Sequence, residues 1–583
     1  MAPTLVDAVR ALATDRDRGF VFVKADGTER FLPFQQIAEE AEVRAAHLVD
    51  RGLRKGERLA LVIPDGDEFV LSFLGALFAG VVPVPIFPQL SFKNLESYHG
   101  TVTHIARASG AAMFLTTSST RPYVEPSVAA VESLRSVLTV DDIRAPGLRP
   151  VEAGVRAEDV AFLQFTSGST SRPKGVVVTH ANLAANSEAF MIHGLRRDSA
   201  TDKGVSWLPL FHDMGLIGFV VGPLFTNVPC VFLPTASFVR GPRLWLEKIH
   251  AHRGTITYAP NFAYALVAKR LKEKDLEGLE LSCVRVAGCG AEPIQARALR
   301  DFAAKLAPSG FDASAFVPSY GMAEATLAIT FVPLRDGLRT DSVDPKALTQ
   351  AHALPSNAQG ASEIVDCGEP FPEHDLAIVD DEGKRLPDRR VGQIVLRGPS
   401  VTAGYFEDPV LTAQTFKSLP GDDGGTVPWL HTGDLGYTVA GRLFVCGRIK
   451  DIIIVRGRNY YPTDIEWAVG ELPNVRRGNV VAFGVFVDSR GCVVADGSGE
   501  EQLIVCCEGA AHDAAAIRDA ASACLAAQFG LTAHEVVVAQ LASLPRTSSG
   551  KPQRRKAREM YLEGVLPRAR SVHEAKADSD RAT

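Results

Sequence analysis

Between Phe165 and Gly175 the chain reads Phe-Thr-Ser-Gly-Ser-Thr-Ser-Arg-Pro-Lys-Gly, directly behind the apolar stretch 161–165. Small hydroxylic residues and glycine let backbone N–H groups and hydroxyls converge on phosphate oxygens. Lys174 can then neutralise charge on a departing pyrophosphate. A Walker A loop is excluded, because GxxxxGK[ST] leads into a helix, whereas this loop runs into the strand-like Val-Val-Val-Thr-His of 176–180. The plain alternative is a Ser/Gly surface turn.

Four further segments bear on that choice. Pro318-Ser-Tyr-Gly-Met-Ala-Glu-Ala-Thr326 offers Tyr320 to stack on a purine and Glu324 to hold Mg²⁺ beside phosphates. A buried tyrosine and a helix N-terminal glutamate would read the same way. In His431-Thr-Gly-Asp-Leu-Gly436, Asp434 follows a tight turn, where its oxygens can accept both ribose hydroxyls; an Asx-turn is the alternative. Gly447-Arg-Ile-Lys-Asp-Ile452 and Arg546-Thr-Ser-Ser-Gly-Lys-Pro552 add cations near the end of the chain, where a lone lysine is ordinarily just solvated.

The elements that must position these groups alternate. Residues 34–53 pattern as an amphipathic helix, 59–63 as a strand, 68–79 as a helix and 81–86 as a strand, and the alternation resumes after 157. That order predicts a parallel sheet covered on both faces. From about Asp375 shorter strands predict a β-rich subdomain; a helix begins at 463–469, and 478–530 return to α/β. Residues 333–362 are polar and turn-rich, and read as an insertion or long loop. The tail 571–583 reads as disordered.

A chain of 583 residues exceeds one hydrophobic core. A formal net charge of -6 argues against a general nucleic-acid binder, and the basic run 554–558 reads as one face of a terminal helix. Nine cysteines without a CxxC pair fit a reducing, cytoplasmic setting rather than a zinc site or disulfide framework. The N-terminus lacks the apolar core of a secretory signal. The uncharged stretches 70–88 and 214–239 are long enough to span a bilayer, but glycines and prolines break both, which suits buried α/β units.

Together the motifs, with Gly392-Gln-Ile, Gly398 and Gly404-Tyr405 in their expected order, resemble the adenylate-forming superfamily from about residue 20 to 565. Within it the chain looks most like the fatty acyl-AMP ligases. The features are Phe211-His-Asp-Met-Gly-Leu-Ile217, Ala323 where many relatives carry Thr, the long spacing from Glu324 to Gly368, and the string 451–462. Tyr460 departs from the expected His.

The resemblance implies an α/β fold: a large N-terminal domain (1–447) of two α/β subdomains plus a small β-barrel-like subdomain, a hinge at 448–451 marked by Lys450, and a small mobile α+β C-terminal domain (452–570). It implies ATP and Mg²⁺ as cofactors. Thr166, Ser167, Gly168, Ser169 and Thr170 with Lys174 would cradle phosphates; Gly290, Ala291 and Glu292 would line adenine; Tyr320, with Gly321, Met322 and Ala323, would flank it. Glu324 would hold the metal, Asp434 and Arg448 the ribose, and Lys551 would bridge carboxylate and α-phosphate. His212 with Asp213, Met214, Gly215, Asn261 and Phe262 would shape the acyl side, and 258–267 would wall a tunnel. Fatty acid and ATP are the implied substrates. An acyl carrier protein, or a carrier domain of a polyketide or peptide synthase acting in trans, is the implied acceptor, met by Arg554, Arg555 and Lys556. The insertion would disfavour the state that accepts coenzyme A. The competing readings are a fatty acyl-CoA synthetase and a non-catalytic adenylate-binding scaffold.

Overall fold

The computed structural model describes residues 2–88, 95–166, 173–420, 428–494, 499–547 and 551–569. The first sheet is parallel, in the order Val82–Pro85, Arg58–Val62, Ala111–Thr116, Ser136–Thr139. Its strands are nearly continuous apolar runs because helices cover them, as the alternating pattern requires. The helix Phe34–Asp50 lies against the helix Gly66–Phe78. The latter is buried from Phe69 to Phe78, so it carries no polar stripe. That is why 70–88 has the hydropathy of a membrane span: a buried helix, a turn and a buried strand follow one another. Among the described residues no helix is long and apolar enough to cross a membrane.

A nine-stranded sheet forms the second layer. Its order is Glu369–Pro370, Ala328–Phe331, Phe316–Gly321, Val286–Cys289, Ile256–Ala259, Gly204–Ser206, Cys230–Phe232, Gly19–Val23, Glu29–Pro33. The pairings from Phe316–Gly321 to Gly19–Val23 are parallel and the outer ones antiparallel. The stretch 214–239 is cut into the short helix Asp213–Leu216, a π-turn segment Ile217–Val221, the helix Gly222–Thr226, the strand Cys230–Phe232 and the helix Thr235–Arg240. A second π segment spans Glu188–Gly194. Wide turns of this kind concentrate at functional sites, and residues of both segments line the main cleft.

The expected β-rich region is a five-stranded antiparallel sheet of Asp375–Val379, Gly392–Arg397, Trp429–Val439, Phe416–Lys417 and Arg442–Arg448. Its register sets Asp434 directly opposite Arg448.

Residues 333–362 are not an irregular loop. Strand Thr340–Val343 pairs antiparallel with Ser362–Val365, and the helical turn Pro345–Leu348 lies between them. Val343, Leu348, Ala353 and Ile364 bury against Tyr437, Phe444 and Tyr461. Asp341 accepts from the Tyr437 hydroxyl (2.9 Å) and from Arg389 (2.9 Å). With strands this short, the apolar residues are too few to show a period.

After residue 453 the chain builds a four-stranded sheet, ordered Val493–Val494, Val475–Val487, Glu500–Gly509, Glu535–Ala539. Helices Pro462–Gly470 and Ala514–Phe529 pack one face around Ile465, Leu503, Ile517 and Leu525. Helix Arg554–Leu562 covers the other through Ala557 beside Phe483 and Ile504. These clusters draw on residues 453–569 alone.

Candidate active site

One cleft of about 2600 Å³ collects residues from the nine-stranded sheet, the five-stranded antiparallel sheet and the C-terminal four-stranded sheet, and receives Lys551 from near the end of the chain. A hairpin supports it: Val160–Thr166 pairs antiparallel with Lys174–Thr179. Thr166 and Lys174 lie opposite each other at its mouth and both line the cleft. Ser167, Gly168, Ser169 and Thr170 lie outside the described residues. Burial lowers the Lys174 ammonium pKa, and the nearby Lys450 charge adds to this.

Asp434 is buried at the base of the cleft, and both its oxygens are engaged. Tyr320 donates to Oδ2 at 2.8 Å, and Arg448 Nε donates to Oδ1 at 2.7 Å. The charge of Asp434 outweighs burial and raises the Arg448 pKa, so this guanidinium stays charged. Gly290, Ala291 and Glu292 line the same cleft. A Cβ on Gly290 would stand 2.8 Å from Ser319 Oγ, and Ala291 adopts a left-handed φ of 69°; backbone at these two positions is therefore dictated by close approach and a tight turn. Glu292 accepts from the Phe262 N–H at 2.8 Å. Burial pushes its carboxyl pKa up. Gly321, Met322 and Ala323 also line the cleft, Ala323 being buried.

Glu324 shares the cleft with Lys174. Burial raises its carboxyl pKa, while the Tyr405 hydroxyl, donating to Oε1 at 2.8 Å, pulls the other way. Tyr405 also lies 5.7 Å beneath the Lys174 ammonium, measured to the ring centre. Its role was not legible, because 81 residues separate it from Glu324. Gln164 is a second such residue: Nε2 donates to the Phe211 carbonyl (3.2 Å), and Oε1 is buried without a partner among the described residues.

The residues expected on the acyl side divide. His212 Nδ1 pairs with Asp213 Oδ1 at 3.0 Å, and Asp213 also accepts from the Met214 N–H at 2.7 Å. Burial alone would raise the Asp213 pKa; the His212 bond and charge, helped by Lys551, hold it below the usual value. Met214 and Phe262 line the cleft and Phe262 is half-buried. Gly215 and Asn261 also touch the cleft but have structural duties. A Cβ on Gly215 would meet the Pro209 carbonyl at 2.2 Å, and Asn261 Oδ1 accepts from Gln295 N–H at 3.1 Å. In the segment 258–267, Tyr258 and Leu266 face the cleft, whereas Val267 and Tyr264 are core.

Lys551 is held by a reciprocal pair: its N–H donates to Thr547 Oγ1 (3.0 Å), and its carbonyl accepts from the Thr547 N–H (2.8 Å). Burial lowers its ammonium pKa, and the charges of Asp213 and Glu292 oppose that. Lys450 is exposed and lines the cleft. Arg554 does not present a free cation to a partner: its guanidinium is bound to Glu466 and Asp451. Arg555 and Lys556 are exposed.

The AMP-binding enzyme family model matches residues 10–406. A Caulobacter vibrioides protein provisionally named an acyl-CoA synthetase is 36% identical over 97% of this chain and 96% of its own. The long-chain-fatty-acid–AMP ligase FadD32 of Mycolicibacterium smegmatis is 33% identical over 93% of this chain and 90% of its own. The medium-chain-fatty-acid–[acyl-carrier-protein] ligase JamA of Moorena producens is 32% identical over 92% and 90%. A solved structure from a study of fatty acyl-adenylate ligases of E. coli and L. pneumophila superposes with a TM-score of 0.87 at 35% identity, covering 97% of this chain and 98% of that one. A carboxylate gripped by tyrosine and arginine, a hairpin that presents Lys174, and a late lysine brought into one cleft agree with that kinship: the chain belongs to the AMP-binding enzyme family, among its fatty acyl-AMP ligases.

Proposed function

We propose that this cleft joins a fatty acid to the α-phosphate of ATP and then passes the acyl group to the phosphopantetheine thiol of an acyl carrier protein or synthase carrier domain. In the first step a carboxylate oxygen forms a bond to the α-phosphorus, the bond to the β-phosphate oxygen breaks, and pyrophosphate leaves. In the second the thiol sulfur takes the acyl carbon and AMP departs. A carboxylate is already ionised at neutral pH, so no general base is needed and His212 serves the shape of the pocket and the orientation of Asp213. Catalysis is then positioning and charge stabilisation.

The observation that carries this reading is the docking of Lys551 into the cleft that holds Asp434, Arg448 and Glu292. In this arrangement its ammonium steers the carboxylate and offsets charge at the α-phosphate. In this reading Lys174 and Thr166 would meet the β- and γ-phosphates, Asp434 and Arg448 the ribose, and Tyr320, Gly290, Ala291 and Glu292 would border adenine. Glu324 suits Mg²⁺: it is a hard oxygen donor beside the phosphate-loop lysine. Glu324 would hold the ion as its protein carboxylate, and substrate phosphates and water would supply the other oxygens. When bound there, it would supply positive charge to offset that on the leaving pyrophosphate. The acyl chain runs along Trp207, Phe219, Tyr258, Phe262, Leu266 and Phe331, which line the same cleft.

The acyl-CoA synthetase reading has the provisional name of the Caulobacter protein behind it. Against it stands the ordered insertion, which packs Val343 and Leu348 against Tyr461 and receives the Asn459 N–H on the Thr349 carbonyl (3.2 Å). These contacts tether the start of the C-terminal region against rotation; free coenzyme A has to overcome that tether unaided, whereas a carrier domain brings the differential binding energy of its own protein surface. Release of pyrophosphate on mixing Mg²⁺-ATP with fatty acid tests the first step. Lys551→Ala should fold normally and lose about 10²–10³-fold in that rate; an unimpaired variant would remove Lys551 from the mechanism.

A further inference from the structure

Lys551 hangs from a short loop, and the foot of that loop is fixed by a side chain three residues on. Gln553 N–H donates to the Pro545 carbonyl (2.9 Å), closing the loop, and Arg554 starts the helix Arg554–Leu562. The Arg554 guanidinium turns inward. Nε and Nη2 donate to the two oxygens of Glu466, both at 2.7 Å. Nη1 donates to Asp451 Oδ2 at 2.7 Å, and Nη2 also reaches Thr463 Oγ1 at 3.2 Å. Glu466 is itself tied to the sheet by the Ala482 N–H (3.0 Å). Asp451 follows Arg448 by three residues, and Arg448 grips Asp434.

We propose that Arg554 is a positioning residue for adenylation: its fork locks the Lys551 loop to hinge residue Asp451 and to Glu466, and so sets where the lysine ammonium stands relative to the nucleotide pocket. A single planar group thus connects the start of the helix just after Lys551 to the turn Ile449–Asp451, which directly follows Arg448. Bidentate binding to one carboxylate with a third arm on another fixes direction as well as distance, which a lysine with its point charge does not. A helix-capping or purely structural role would be met by the Glu466 pair alone. The Asp451 arm reaches out of that pair, back to the hinge. Misplacement of a reacting group by about 1 Å costs on the order of 10² in rate, so the loss of this lock should appear in the chemical step.

This inference rests on the role assigned to Lys551 above. Single-turnover formation of acyl-AMP by the full chain, with Mg²⁺-ATP and a saturated fatty acid chosen from octanoate to stearate, separates rate from amplitude. Arg554→Lys should keep the burst amplitude and the KM for ATP within about threefold while the rate constant falls about 10–100-fold. Asp451→Asn, which removes one arm, should show a smaller loss in the same direction, and supplies the test where an Arg554 variant does not fold. A merely structural role would lower the amplitude and leave the rate constant. That result, or wild-type rates in both variants, overturns the inference. Wild-type protein that makes no acyl-AMP from any of these acids overturns the proposed function instead.

Discussion

Glu324 and Tyr405 show how much a single hydrogen bond decides. Burial favours the protonated carboxyl, and the tyrosine hydroxyl favours the carboxylate. A metal must compete with that proton. The Glu324 pKa is raised, so Mg²⁺ demand should be lowest well above it and should grow as pH falls through it. Tyr405→Phe removes the opposing donor and raises the pKa further. Its activity at limiting Mg²⁺ should fall about three- to tenfold at pH 6 and less at pH 8, as read from Mg²⁺ titrations of pyrophosphate release. An equal loss at both pH values would detach Tyr405 from the metal. Residues such as Lys174, Glu324, Asp434 and Lys551 were legible because each sits in a compact motif of distinctive composition. Their partners were not. Tyr405 and Arg554 reach carboxylates 81 and 103 residues away, and nothing local marks such a pairing.

At the scale of elements, alternation of apolar runs with glycine and proline correctly foretold the covered parallel strands, and the hairpin after 161–165 followed from two adjacent strand patterns. Two features escaped for physical reasons. The insertion gains its structure from Tyr437, Phe444 and Tyr461, which belong to other segments, so its own sequence looks like a loop. The wide-turned segments Glu188–Gly194 and Ile217–Val221 share the hydropathy of ordinary helices. If the insertion restrains the C-terminal region, loosening its core should change the acceptor. Leu348 is 3% exposed, and Leu348→Asp buries an unpaired carboxyl there at a cost of a few kcal/mol, on the order of 2–5. The expected outcome is acyl-CoA formation raised at least about tenfold, by the arithmetic that 1.4 kcal/mol is tenfold, with adenylation kept. Thioester formation unchanged from wild type, in protein that remains folded, would assign the restraint elsewhere.

For the whole molecule, the C-terminal region has its own two-faced core, and residues 448–451 lead into it from the body whose sheets line the cleft. On the proposed function, Lys551 in the cleft would mark the arrangement suited to adenylation, and Lys450 would sit where rotation toward the transfer state is absorbed. On that view the exposed side chains of Arg555, which pairs with Glu559 on its own helix (3.1 Å), and of Lys556 would meet an acidic carrier, whereas Arg554 is turned inward. Arg555→Glu with Lys556→Glu should slow transfer to a holo-acyl carrier protein by about tenfold, more at low salt than at high, while acyl-AMP formation stays within twofold. A transfer rate unaffected by the reversal would place the carrier on another face. The most direct test separates the products formed from Mg²⁺-ATP and fatty acids of several lengths, with and without coenzyme A. Acyl-AMP that accumulates and persists in the presence of coenzyme A is the expected result. Rapid conversion to acyl-CoA would contradict it, and would make this chain an acyl-CoA synthetase.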